Sequence, residues 1–116
     1  MTDVTIYHNP RCSKSRNTLA LLEENGISPT IVLYLEAPPS RSQIKSLLGK
    51  LGMSARELVR RGEDAYKAAG LGKESSEADI LSAMAEYPKL IERPIVVKGG
   101  KAVLGRPPEN VLALID

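Results

Sequence analysis

Asp3-Val4-Thr5-Ile6-Tyr7-His8-Asn9-Pro10-Arg11-Cys12-Ser13 is the stretch on which the fold turns. Val4 and Ile6 give a short β-prone run over Asp3 to Tyr7, and His8-Asn9-Pro10 breaks it. A helix is expected from Ser13 to Asn25, because Leu19 and Leu22 fall at helical spacing with Leu21 beside them and Asn25-Gly26 supplies a stop. Thr30 to Leu35 is rich in β-branched residues and apolar, as expected for a strand buried on both faces of a parallel pairing. A βαβ unit therefore opens the chain.

Downstream of Pro38-Pro39, Ser40 and Gln43 form a capping-box pattern ahead of Ile44, Leu47, Leu48 and Leu51 at i, i+3, i+4 and i+7. Ser54 with Glu57 repeats that pattern before Leu58-Val59, and Ser76 with Asp79 resembles it before Ile80, Met84 and Tyr87. Arg61 to Ser75, polar and glycine-containing, reads as a loop. Ile95-Val96-Val97 and Ala102-Val103-Leu104 flank Gly99-Gly100, which predicts a tight antiparallel hairpin. Pro107 and Pro108 suit the first positions of a terminal helix whose apolar face is Val111, Leu112, Leu114 and Ile115. The order β-α-β, helices, β-β-α predicts an α/β, thioredoxin-like fold. Its mixed four-stranded sheet would be built from βαβ and ββα halves, with a helical insertion at about 40–88 between them.

The 116 residues fit one domain with one core. That core must be aliphatic, since there are four tyrosines but neither Phe nor Trp. The net charge of +2 is spread along the chain without a basic cluster, so no nucleic-acid partner is expected. The longest apolar run, Ile31 to Leu35, is far short of the ~20 residues of a membrane span, and the N-terminus lacks a basic segment followed by an apolar one. A single cysteine makes no internal disulfide, which suits a reducing compartment. A cytoplasmic monomer with no membrane association is the resulting expectation.

That cysteine, Cys12, stands at the N-terminal edge of the first helix. Unpaired backbone N–H groups and the helix dipole favour negative charge there, and Arg11, Lys14 and Arg16 add positive charge, so the thiolate is favoured over the thiol. The bland alternative is a small buried hydrophobe, and the cationic surroundings count against it. Position 15 is Ser, which makes the pattern Cys-x-x-Ser. With no second thiol, an oxidised Cys12 must be regenerated from outside. His8, the only histidine, could orient Cys12 or be a turn residue; Asn9 and Ser15 could hold the loop, hydrogen-bond the sulfur, or serve as helix-start punctuation. One cysteine and one histidine cannot supply a zinc centre.

The run Tyr7-His8-Asn9-Pro10-Arg11-Cys12-Ser13-Lys14-Ser15-Arg16-Asn17-Thr18 resembles the catalytic loop of the glutaredoxin-coupled arsenate reductase family. The resemblance continues through Leu33-Tyr34-Leu35-Glu36, the segment 54–60, Glu92 to Val97 and Gly105-Arg106-Pro107-Pro108, and so covers essentially the whole chain. It implies that Cys12 is a nucleophile, with His8 and Ser15 beside it, in the reduction of arsenate to arsenite through a covalent thiol-arsenic intermediate. It also implies an oxyanion pocket of Arg60, Arg93 and Arg106 with Asn9, no bound cofactor, glutathione as co-substrate and glutaredoxin as partner. A cis bond is expected at Arg93-Pro94. Each arginine taken alone would be an ordinary surface charge. Two other readings stay open: a monothiol, glutathione-dependent oxidoreductase acting on protein disulfides, and a non-enzymatic regulator of the Spx type that contacts RNA polymerase.

Overall fold

A computed structural model describes residues 4–115 of the chain. In chain order the elements are β1 (Val4–Tyr7), α1 (Ser13–Glu24), β2 (Thr30–Val32), α2 (Arg41–Leu51), α3 (Ala55–Leu58), α4 (Asp64–Ala68), α5 (Glu77–Glu86), a 3-10 turn (Pro88–Leu90), β3 (Ile95–Lys98), β4 (Lys101–Leu104), a second 3-10 turn (Pro108–Val111) and α6 (Leu112–Ile115). The expected strand residue Asp3 lies outside the described residues. Two compact units are formed, one from residues 4–37 with 93–115 and the other from residues 38–92.

The first unit is the expected thioredoxin-like arrangement. Its sheet runs β2-β1-β3-β4, with β1 parallel to β2 and antiparallel to β3, and β3 antiparallel to β4. Ile6 sits opposite Ile31 on one side and Val96 on the other. Gly99 takes φ +61° at the hairpin turn, a left-handed conformation that costs glycine little because it has no Cβ. Val4, Ile6, Leu22, Val96 and Val111 form the buried core, with Leu19, Leu21, Ile27, Val103 and Leu114 packed against it.

Two expectations fail in this unit, each for a physical reason. The segment Thr30 to Leu35 is not a strand buried on both faces. β2 ends at Val32 and lies at the sheet edge with one strand beside it, so Ile31 is 47% exposed. The chain then turns, with Glu36 and Ala37 N–H groups donating to the Leu33 carbonyl. Leu33 and Leu35 stay 36% exposed and only Tyr34 is buried. Second, Pro107 does not start the terminal helix: Arg106-Pro107 is cis, as Arg93-Pro94 is, and Pro108 takes the first helical position.

The second unit, residues 38–92, carries α2 to α5 and the first 3-10 turn. Ser40 and Gln43 make the full capping box at the start of α2: Ser40 N–H donates to Gln43 Oε1 (2.8 Å) and Gln43 N–H donates to Ser40 Oγ (3.2 Å). Ile44, Leu47 and Leu48 form its buried face. Ser54 and Glu57 cap α3 in the same reciprocal way, whereas Ser76 caps α5 through Asp79 N–H alone. The Glu77 carboxylate accepts from Ala55 and Arg56 N–H groups (2.8 and 3.1 Å), which ties the start of α5 to the start of α3. The expected loop 61–75 contains the short helix α4. Its alanines favour helix but none of its residues is buried, so no apolar stripe announced it.

Gly105 is the tightest glycine of the first unit. An ideal Cβ there would stand 2.5 Å from Thr18 Oγ1 and 2.8 Å from Pro94 Cγ. Gly105→Ala is therefore expected to destabilise the protein by about 1–3 kcal/mol through overpacking, read as a lowered denaturant midpoint with an unchanged m-value. Wild-type stability in that variant would contradict the packing.

Candidate active site

Cys12 is the N-cap residue of α1, with extended φ and ψ of −94° and 122°, and its side chain makes no capping hydrogen bond. Its thiol is half-buried. The carbonyl of Cys12 accepts from Arg16 N–H (3.0 Å), and its own N–H donates to the Asn9 carbonyl (3.0 Å). The first-turn N–H groups of a helix have no intrahelical acceptor. Because the N-cap side chain does not accept from them, they remain as donors beside the sulfur.

The loop from β1 to α1 is held by buried polar groups. Ser15 is fully buried, as are Thr18 and Leu22, so the inner face of α1 follows 15, 18 and 22. Asn9 N–H donates to Ser15 Oγ (3.0 Å), and the same oxygen lies 2.7 Å from His8 Nδ1. The amide fills one lone pair of Ser15, and one proton is shared between Ser15 Oγ and His8 Nδ1, the donor being set by the imidazole tautomer. Asn9 Oδ1 accepts from Arg11 N–H (3.0 Å), a local turn in which the side chain mimics backbone. Arg16 donates from Nη1 to the Pro10 carbonyl (2.9 Å), closing the loop from the solvent side.

His8 sits below the ordinary imidazole value, first because burial disfavours the cation and second because the Arg16 guanidinium repels it. His8, Asn9 and Cys12 of the loop and Ser15 in the first turn of α1 are thus brought together. The roles visible for Asn9 and Ser15 are in holding the loop.

Of the three arginines, two lie in the first unit. Arg106 Nη1 donates to the Arg93 carbonyl (3.3 Å), and both residues precede cis prolines. Asn110 Nδ2 donates to the Leu104 and Arg106 carbonyls and steadies that turn. Arg60 belongs to the second unit. Its N–H donates to the Leu90 carbonyl (2.7 Å), and its guanidinium stands 3.6 Å from Glu63 and from Glu92.

Sequence reasoning missed Thr18 and Gly105. Thr18 Oγ1 donates to the carbonyls of Lys14 (2.8 Å) and Gly105 (3.2 Å), and Gly105 N–H donates to the Pro94 carbonyl (2.9 Å). The helix bearing Cys12 is thereby tied to the segments bearing Arg93 and Arg106. Counting small polar residues as part of a buried helix face would have revealed 15, 18 and 22. A cleft of about 300 Å³, lined among others by His8, Pro10, Arg11, Leu33, Leu35 and Glu36, opens beside the loop and was also not foreseen.

Two outcomes follow from this geometry. Ser15→Ala strands the buried Asn9 N–H and His8 Nδ1, and should cost about 1–3 kcal/mol in chemical denaturation; a loss near zero would mean that the hydroxyl is not what holds the loop. With its folded value depressed, His8 takes up its proton more readily in the unfolded chain. Stability should fall as pH drops from about 6.5 toward the lower folded value. His8→Asn should flatten that part of the profile, which denaturation midpoints across about pH 5 to 7 can check.

Comparison with known proteins places this arrangement. An Escherichia coli K12 protein bearing the name "Uncharacterized protein YfgD" is 58% identical, over 97% of this chain and 96% of its own length. The arsenate reductase of Neisseria meningitidis serogroup A is 49% identical, over 99% of this chain and 100% of its own length. The solved arsenate reductase from Vibrio cholerae matches with a TM-score of 0.92 and 52% identity, covering 97% of both chains. Residues 7–114 match the ArsC family. That match runs from the last residue of β1 into α6 and takes in both compact units, so the chain belongs to the ArsC family.

Proposed function

We propose that the protein is an arsenate reductase in which Cys12 is the nucleophile. The observation that carries this reading is the placement of Cys12 as an N-cap whose sulfur caps nothing, on a loop fixed by Ser15 and His8. Cys12 is partly exposed at a helix N-terminus, where free N–H groups can donate to an oxyanion bonded to its sulfur. The names of the relatives supply the oxyanion: arsenate.

In the first step the Cys12 thiolate attacks arsenic and an arsenate oxygen leaves as water once protonated, giving a covalent sulfur-arsenic adduct. Arg93 and Arg106, both in the first unit, would hold the remaining oxygens. Each charge-assisted hydrogen bond contributes about 1.5–3 kcal/mol. Glutathione then supplies the second thiol. Over both steps the Cys12 thiol, one glutathione and one arsenic acid give the Cys12-glutathione disulfide, one arsenous acid and one water. Arsenic gains two electrons and the two sulfurs lose one each. A further thiol, from glutaredoxin with glutathione, reduces the mixed disulfide and frees Cys12. His8 and Ser15 act by positioning the loop. A reducing cytoplasm, which supplies the outside thiols, is the compartment this cycle suits.

Purified protein with arsenate, glutathione, glutaredoxin and an NADPH-driven recycling system should consume NADPH, and Cys12→Ser should abolish the consumption. Arg106→Lys should retain turnover but raise KM for arsenate by roughly tenfold, the worth of one strong hydrogen bond. Wild-type consumption no greater than background would refute the activity. Turnover of a glutathionylated peptide without arsenate would assign the chemistry to protein disulfides instead.

A further inference from the structure

The large apolar side chains left exposed among the described residues, Ile31, Leu33 and Leu35, all fall in one five-residue stretch at the edge of the sheet. Leu33 and Leu35 line the cleft beside the Cys12 loop. Arg11 and Glu36 also line it, and neither side chain is in an ion pair among the described residues. The cleft's volume of about 300 Å³ is at the lower end of the range for small-molecule sites. Its lining therefore combines apolar leucine side chains with one basic and one acidic group.

We infer that this cleft, through Arg11, Leu33, Leu35 and Glu36, binds the small peptide thiol that acts as co-substrate. The inference rests on the arsenate reductase reading for its chemistry, but the binding site stands on the geometry. A peptide thiol of three residues carries carboxylates, which suit Arg11, and an ammonium group, which suits Glu36. Its backbone spans roughly 10 Å when extended, so a sulfur on the middle residue lies about 5 Å from either end. The Cα atoms of Arg11 and Cys12 are about 3.8 Å apart, as in any trans peptide. Because Arg11 lines the cleft and Cys12 follows it in the chain, a ligand held there lies beside the Cys12 loop. In the reaction the bound thiol's sulfur forms the S–S bond with Cys12, the sulfur-arsenic bond breaks with its electron pair going to arsenic, and the thiol proton passes to the departing arsenite.

Two measurements test this, one independent of turnover. In labelled Cys12→Ser protein, titration with S-methylglutathione, which cannot react, should shift the amide resonances of Leu33, Leu35 and Glu36 saturably. In the coupled assay, Glu36→Gln should raise KM for glutathione by about fivefold, the upper worth of an exposed ion pair, with KM for arsenate unchanged. A glutathione analogue lacking the amino group should lose about the same factor with wild-type protein and nothing further with Glu36→Gln. Resonance shifts confined to other segments, or equal discrimination between the two thiols by both proteins, would overturn the assignment. Shifts of these residues with glutaredoxin but not with S-methylglutathione would make the cleft a protein-docking surface and also overturn it. Inactivity toward arsenate with saturable S-methylglutathione shifts would sink the reductase reading and leave the thiol site standing.

Discussion

The hydroxyl of Ser15 is the point on which the site depends. It is fully buried, and it satisfies two other buried polar groups at once: the amide of Asn9 and a ring nitrogen of His8. A buried donor or acceptor left alone costs more than an ordinary hydrogen bond contributes, so the loop between β1 and α1 has one arrangement in which everything is paired. Cys12 inherits its position from that arrangement. Its amide is tied to Asn9 and its carbonyl to the first intrahelical bond, while its sulfur is left without a structural task.

A second buried hydroxyl extends the same logic across the sheet. Thr18 stands one helical turn from Ser15 and donates to the carbonyl of Gly105, whose N–H donates to the Pro94 carbonyl. The space at Gly105 admits no Cβ without displacing Thr18 or Pro94. Three segments distant in sequence thus meet at one contact: the helix that carries Cys12, the turn after Arg93 and the exit of β4 into Arg106. Positioning of the charged groups is delegated to neutral, buried ones whose geometry solvent does not disturb.

The second unit is organised by local rules. Reciprocal capping boxes set the starts of α2 and α3, and the Glu77 carboxylate serves as a shared cap between α3 and α5. Arg60 lies there, its backbone fixed by the Leu90 carbonyl and its charge balanced by Glu63 and Glu92. At 3.6 Å and partly exposed, those pairings are weak ones.

The sequence by itself determined the elements whose signals are local. The capping boxes at Ser40 and Ser54, the Gly99-Gly100 hairpin and the N-cap placement of Cys12 all depend on a few neighbouring residues, and the structure has each of them. The family resemblance pointed to the cis bond before Pro94, which the structure has. Only the tertiary structure decided the rest. Ile31 to Leu35 has a core composition but lies at an unpaired edge, and which strand has a neighbour is a property of sheet order, not of the strand. Ser15 and Thr18 look like solvent-facing helix residues until the partners that satisfy them, His8, Asn9 and Gly105, are brought alongside. Burial of a polar group is set by what surrounds it, and those surroundings come from segments up to 87 positions away.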